Sequence, residues 1–86
     1  MHELSLALEV CRQVEAVMER EGAVAMRRLA IEIGANAGVE VENFRFCLET
    51  LLGAPPFGGG SAELIPVGGA DLRLAWVEVD DGRPDH

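Results

Sequence analysis

Apolar residues switch between two spacings along this chain, and the switch confines it to a mixed helix-and-sheet architecture. From Leu4 to about Arg20, the residues Leu4, Ala7, Leu8, Cys11, Val14 and Met18 recur at intervals of three and four. That spacing gathers one face of a helix. Leu6, Val10 and Val17 widen the face, while Glu9, Arg12, Glu15, Glu19 and Arg20 occupy the opposite side, and Gly22 stands where a left-handed cap ends such a helix. Beyond it Leu29, Ile31 and Ile33 alternate with Arg28, Ala30 and Glu32, ending at Gly34. A period of two predicts a strand with one face on a core and one toward water.

The remainder repeats both patterns. Val41, Phe44, Cys47, Leu48 and Leu51 form a second helical stripe over about Val41 to Leu52, opposite Glu42, Arg45 and Glu49. The following Ala54-Pro55-Pro56-Phe57-Gly58-Gly59-Gly60-Ser61 reads as a flexible surface loop, since proline lacks a donor and glycine is entropically costly to order. Ala62 to Val67 and Ala70 to Val79 are two extended runs, and the intervening Gly68-Gly69 tolerates positive φ, so a tight hairpin between neighbouring strands is expected. Pro66 makes the first run short or an edge strand. In the second run the apolar phase shifts from Leu72 and Leu74 to Val77 and Val79, which predicts a bulge near Ala75-Trp76.

These elements predict an α/β, two-layer α+β fold in the order helix-strand-helix-strand-strand. Two helices, each with a single apolar stripe, should pack on one face of a three-stranded sheet. With 86 residues the chain is expected to form a single domain over 1–80, followed by a flexible acidic tail over 81–86.

Charge narrows the function. The chain has 15 acidic against 7 basic side chains and a net charge of −8, with no basic stripe to displace counterions from phosphates. Nucleic acid is an unsuitable partner. No basic region followed by an apolar run opens the sequence, and no apolar stretch approaches the roughly 18 residues that span a bilayer, so no membrane partner and a cytoplasmic location are expected. Catalysis lacks its parts as well. There is no Ser/His/Asp or Cys/His constellation, and Gly58-Gly59-Gly60 lies in a loop without a lysine to cradle phosphate. Cys11 and Cys47 belong to no Cys-x-x-Cys pair and read as reduced, core-packing thiols.

One segment offers ligand chemistry. In Met1-His2-Glu3 an imidazole stands beside an α-amine, with peptide nitrogens between them. Amine, amide and ring nitrogens close small chelate rings around one divalent metal, and a planar nitrogen environment suits nickel(II). Taken alone, the tripeptide reads first as a solvated terminus and only second as a ligand set. His86 beside Asp85 reads as a frayed C-terminal pair.

A resemblance gives the tripeptide a context. Met1-His2-Glu3-Leu4-Ser5, Ile31-Glu32-Ile33-Gly34, Gly38-Val39-Glu40 leading into Phe44-Arg45-Phe46, Ala62-Glu63-Leu64, Leu72-Arg73-Leu74 and Val77-Glu78-Val79 together resemble the HypA/HybF nickel-insertion accessory proteins, over nearly the whole chain and in order. The resemblance implies a small nickel-binding domain that helps deliver nickel during maturation of nickel-iron hydrogenase and, in some organisms, urease. It implies His2 as principal ligand, with Met1 and Glu3 beside it and Glu40 completing or supporting the set. Glu40 also suits the start of a helix as a bare charge, and both readings stand. Implied partners are other nickel-insertion accessory proteins, including one that hydrolyses nucleotide, and a hydrogenase large subunit; homo- or hetero-oligomers stay open. The alternative is a docking module that keeps the fold without transferring metal.

The chain departs from that family at one place. Members carry a zinc domain with two Cys-x-x-Cys pairs between the last two strands, where this sequence has Gly68-Gly69. A structural zinc site needs four nitrogen or sulfur ligands, and two cysteines with two histidines at the extremes of the chain do not supply one. Transiently bound nickel(II) is therefore expected, and no structural zinc.

Overall fold

A computed structural model describes residues 2–83 of the chain. Met1 and the Asp85-His86 pair lie outside the described residues. The elements are α1 (Glu3–Glu21), β1 (Ala25–Gly34), α2 (Val41–Leu52), β2 (Ser61–Val67) and β3 (Leu72–Asp80), in the expected order.

The apolar stripe of α1 buries Ala7, Val10, Cys11, Val14 and Met18. Gly22, at φ 64°, turns the chain out of the helix, and the N–H of Ala23 donates back to the Met18 carbonyl at 2.8 Å. Such a left-handed cap satisfies carbonyls that the helix end leaves free. On α2, Phe44, Leu48 and Leu52 are buried. They meet Leu29, Ile31 and Ile33 of β1 in one continuous core. α1 lies mainly over β3 and α2 over β2, so both helices cover the same face of the sheet.

The sheet corrects one expectation. Its order is β2-β1-β3, so β2 and β3 do not form a hairpin and are not neighbours. β2 runs parallel to β1, with Ile31 opposite Leu64, and β3 runs antiparallel on the other side, with Ile31 opposite Leu74. The reason is burial. Leu29, Ala30 and Ile31 are all fully buried, the profile of a central strand and not of a half-solvated one. Ala30 was expected to face water; on the open face it is instead covered between its neighbours Glu63 and Trp76.

A two-residue turn joins strands roughly 4.8 Å apart, but strands flanking a third stand about twice that distance from each other. The four residues Gly68 to Asp71 therefore cross over the end of β1. Gly34, Ala35 and Asn36 pin that crossing by donating their N–H groups to the carbonyls of Asp71, Val67 and Gly69 at 2.8, 2.9 and 2.8 Å. Gly34 has to be glycine, because a methyl group there would overlap the Gly69 carbonyl.

Two other features refine the sequence reading. The predicted bulge is present: Ala30 pairs with Trp76 and Ile31 with Leu74, which leaves Ala75 without a partner on β1. The proline-glycine loop is tethered as well. Phe57 is 5% exposed, its carbonyl accepts from the Met26 N–H at 2.8 Å, and the Gly59 N–H reaches the Leu52 carbonyl at 2.9 Å.

Candidate metal site

Both helices begin at the same end of the molecule, where β1 terminates. α1 starts immediately after His2, whose carbonyl accepts the first helical hydrogen bond from the Leu6 N–H at 3.1 Å. His2 makes no side-chain capping bond and is exposed. Its imidazole is therefore free to act as a ligand. The N–H groups of the first helical turn have no partner within the helix, so using a peptide nitrogen of His2 or Glu3 as a ligand breaks no helical hydrogen bond.

Glu3 has a different situation. It is the buried charged residue of the described chain, 8% exposed, and both of its oxygens are engaged. Oε2 accepts from the backbone N–H of Glu40 at 3.0 Å and Oε1 from Nδ2 of Asn43 at 3.3 Å. The Glu40 N–H bond, reinforced by the N–H of Glu3 itself and by Asn43, holds the Glu3 carboxyl below its ordinary value against the opposing effect of desolvation. Glu3 thus supplies the capping acceptor that α2 lacks, since its own N-cap residue, Glu40, makes no side-chain bond. The negative charge stands at two helix N-termini, where the macrodipoles favour it.

The structure therefore joins Glu3 to the backbone of Glu40 and leaves the Glu40 side chain exposed. It does not gather a ready-made ligand cage: among the described residues no group of three or more His, Cys, Asp or Glu side chains converges. The two cysteines are free thiols, and burial, helped by Glu15, pushes the Cys11 thiol up, away from the thiolate form that binds metal. Sequence reasoning missed Asn43, which helps to fix Glu3. A polar residue one turn into α2 was the available signal, but its partner is 40 residues away.

The fold defines a class, the small two-layer α/β domain built from a parallel strand-helix-strand unit, a leading helix and an antiparallel third strand. The solution structure of the Ni metallochaperone HypA from Helicobacter pylori shares it, with a TM-score of 0.81 over 93% of this chain and 98% of that one at 14% identity. A family model described as HypA, hydrogenase/urease nickel incorporation, metallochaperone, matches residues 1–65. The hydrogenase maturation factor HypA of Azoarcus sp. (strain BH72) is 40% identical over 79 residues, covering 92% of this chain and 69% of that protein. The corresponding factor of Dechloromonas aromatica (strain RCB) is 39% identical over 79 residues, covering 92% and 70%. The chain belongs to the HypA family of hydrogenase and urease nickel-incorporation metallochaperones. That membership assigns it to metal handling in enzyme maturation rather than to catalysis. No helix among the described residues is long and apolar enough to cross a membrane.

Proposed function

We propose that this chain binds one nickel(II) at its amino terminus and carries it, in the cytoplasm, to the maturation of nickel-iron hydrogenase or urease. The ligands are the α-amine of Met1, the imidazole and peptide nitrogen of His2, and the peptide nitrogen of Glu3. The carboxylate of Glu3 is a positioning group, because both its oxygens are already engaged. Glu40, one residue before α2, is the further carboxylate of the proposed set.

The observation that carries this reading is the Glu3–Glu40 hydrogen bond, which anchors the first turn of α1 directly beside a free, exposed His2. An anchored helix start lowers the entropy lost when the tripeptide closes around a metal. Nickel then passes to another accessory protein, one that hydrolyses nucleotide, or to the hydrogenase large subunit.

Titration of the native chain and of His2→Ala with nickel(II) tests the proposal. The native chain should bind about one equivalent with a Kd of about 1 μM or tighter, and His2→Ala should lose most of that affinity. Binding should strengthen as pH rises, because every nitrogen ligand must shed a proton. Equal binding by both forms, or binding by neither, would replace metal carriage with the docking-module reading.

A further inference from the structure

The sheet has two edges of different construction. On β2, Pro66 lacks an N–H and blunts the edge. On β3 no proline intervenes, and large exposed hydrophobic side chains border the strand. Trp76 is 42% exposed on the open face. Leu4 and Leu8, 53% and 51% exposed, lie one turn apart on α1, the helix that lies over β3. The core-facing residues Leu72, Leu74, Val77 and Val79 remain only partly buried.

The bulge at Ala75 gives this edge a particular register. Leu72 and Leu74 stand opposite Ile33 and Ile31, and Val77 and Val79 opposite Leu29 and Met26, so all four face the helices. Arg73 and Glu78 stand opposite Glu32 and Arg28 on the open face. The inner residues are thus even-numbered before the bulge and odd-numbered after it. Antiparallel self-pairing about a two-fold axis between Ala75 and Trp76 sets Leu72 against Val79, Leu74 against Val77 and Arg73 against Glu78 of the other copy. Inner residues meet inner residues, and opposite charges meet on the open face. A slip of one residue would set Arg73 and Glu78 against apolar side chains, which specifies the register.

Each charge already has a partner of opposite sign on β1, the inner neighbour of the strand: Arg73 Nε donates to Glu32 at 2.6 Å and Arg28 Nη2 to Glu78 at 3.3 Å. Pairing two copies extends these into a row of alternating sign, Glu32, Arg73, Glu78, Arg28, repeated by the two-fold axis. A bulge usually protects an edge by twisting it away. Here it sits at the symmetry point and sets the phase of both halves.

We infer that a second copy of this chain pairs with the outer edge of β3, joining two three-stranded sheets into one of six strands. Leu4 and Leu8 of both copies flank the junction on the helical side, and Trp76 covers it on the open side. The contact is isologous, as a two-fold dimer requires.

Sedimentation velocity across about 1–100 μM protein tests this, because self-association is concentration-dependent. The native chain should sediment as a dimer of the 9.2 kDa protomer at the upper end of that range. Arg73→Glu and Glu78→Arg, each checked by circular dichroism, should each weaken association at least about tenfold by setting like charges opposite one another. An equimolar mixture of the two should recover it, because their heterodimer restores both opposite-charge contacts. Leu8→Glu, on an exposed position, should weaken association independently of those charges. A native chain that stays monomeric, a dimer indifferent to all three substitutions, or a mixture of folded charge-reversed chains that fails to associate would each overturn the inference.

Discussion

Oε2 of Glu3 accepts a hydrogen bond from the backbone N–H of Glu40 at 3.0 Å, across 37 residues of sequence. One carboxylate therefore ties the start of α1 to the start of α2 and fixes the setting of His2. Under the proposed nickel binding this arrangement would separate two tasks. His2 stays exposed and available to metal, while Glu3 keeps the first turn in place.

The bond makes stability depend on acid. The Glu3 carboxyl titrates below its ordinary value of 4.5, chiefly because of the Glu40 N–H. A carboxylate whose folded pKa is depressed stabilises the fold at pH above its unfolded value, and that stabilisation disappears as pH falls through the folded value. Urea midpoints measured from about pH 7 down to about pH 3 should therefore fall more steeply for the native chain than for Glu3→Gln. Parallel curves would show that the bond contributes no net stability.

Gly34→Ala should destabilise the fold by about 1–3 kcal/mol, toward the upper figure because the added methyl meets backbone and not a movable side chain. Equilibrium urea unfolding measures it. An unchanged midpoint would mean that the crossing from β2 to β3 does not rest on Gly34.

Phe57→Ala should cost about 3–5 kcal/mol, as truncation of a buried aromatic does. The loop that carries it should then gain susceptibility to limited proteolysis at Gly58–Gly60. A loss below about 0.5 kcal/mol, the scale of a surface substitution, would restore the picture of a free connector.

The limits of sequence reading follow from these residues. Both helices and β1 were legible because their spacing is local: the stripe through Ala7, Val14 and Met18 and the alternation of Leu29, Ile31 and Ile33 need no distant partner. The bulge was legible because the phase of β3 changes within the strand. The hairpin was misread because Gly68-Gly69 has turn chemistry whether it closes two neighbours or crosses a third strand. The near-continuous burial of Leu29, Ala30 and Ile31 decides that question, and it depends on packing. Glu3 was read as lying beside a ligand. Its cap on α2 spans 37 residues and leaves no periodic trace.

Arg28→Ala should change stability by about 1 kcal/mol or less. Its guanidinium sits 5.9 Å from the centroid of Trp76 and pairs with Glu78, but the contacts are exposed and solvent screens them. Thermal unfolding of the variant checks this, and a larger loss would show that the open face contributes more than its exposure suggests.

The central claim is that nickel binds through the amino terminus itself, so the most direct measurement is a nickel(II) titration of the native chain beside the same chain acetylated at the α-amine of Met1. Acetylation removes the amine as a ligand and changes neither partner of the Glu3–Glu40 bond. The account predicts at least about a tenfold loss of affinity, equivalent to about 1.4 kcal/mol. Equal affinity in the two chains would contradict it.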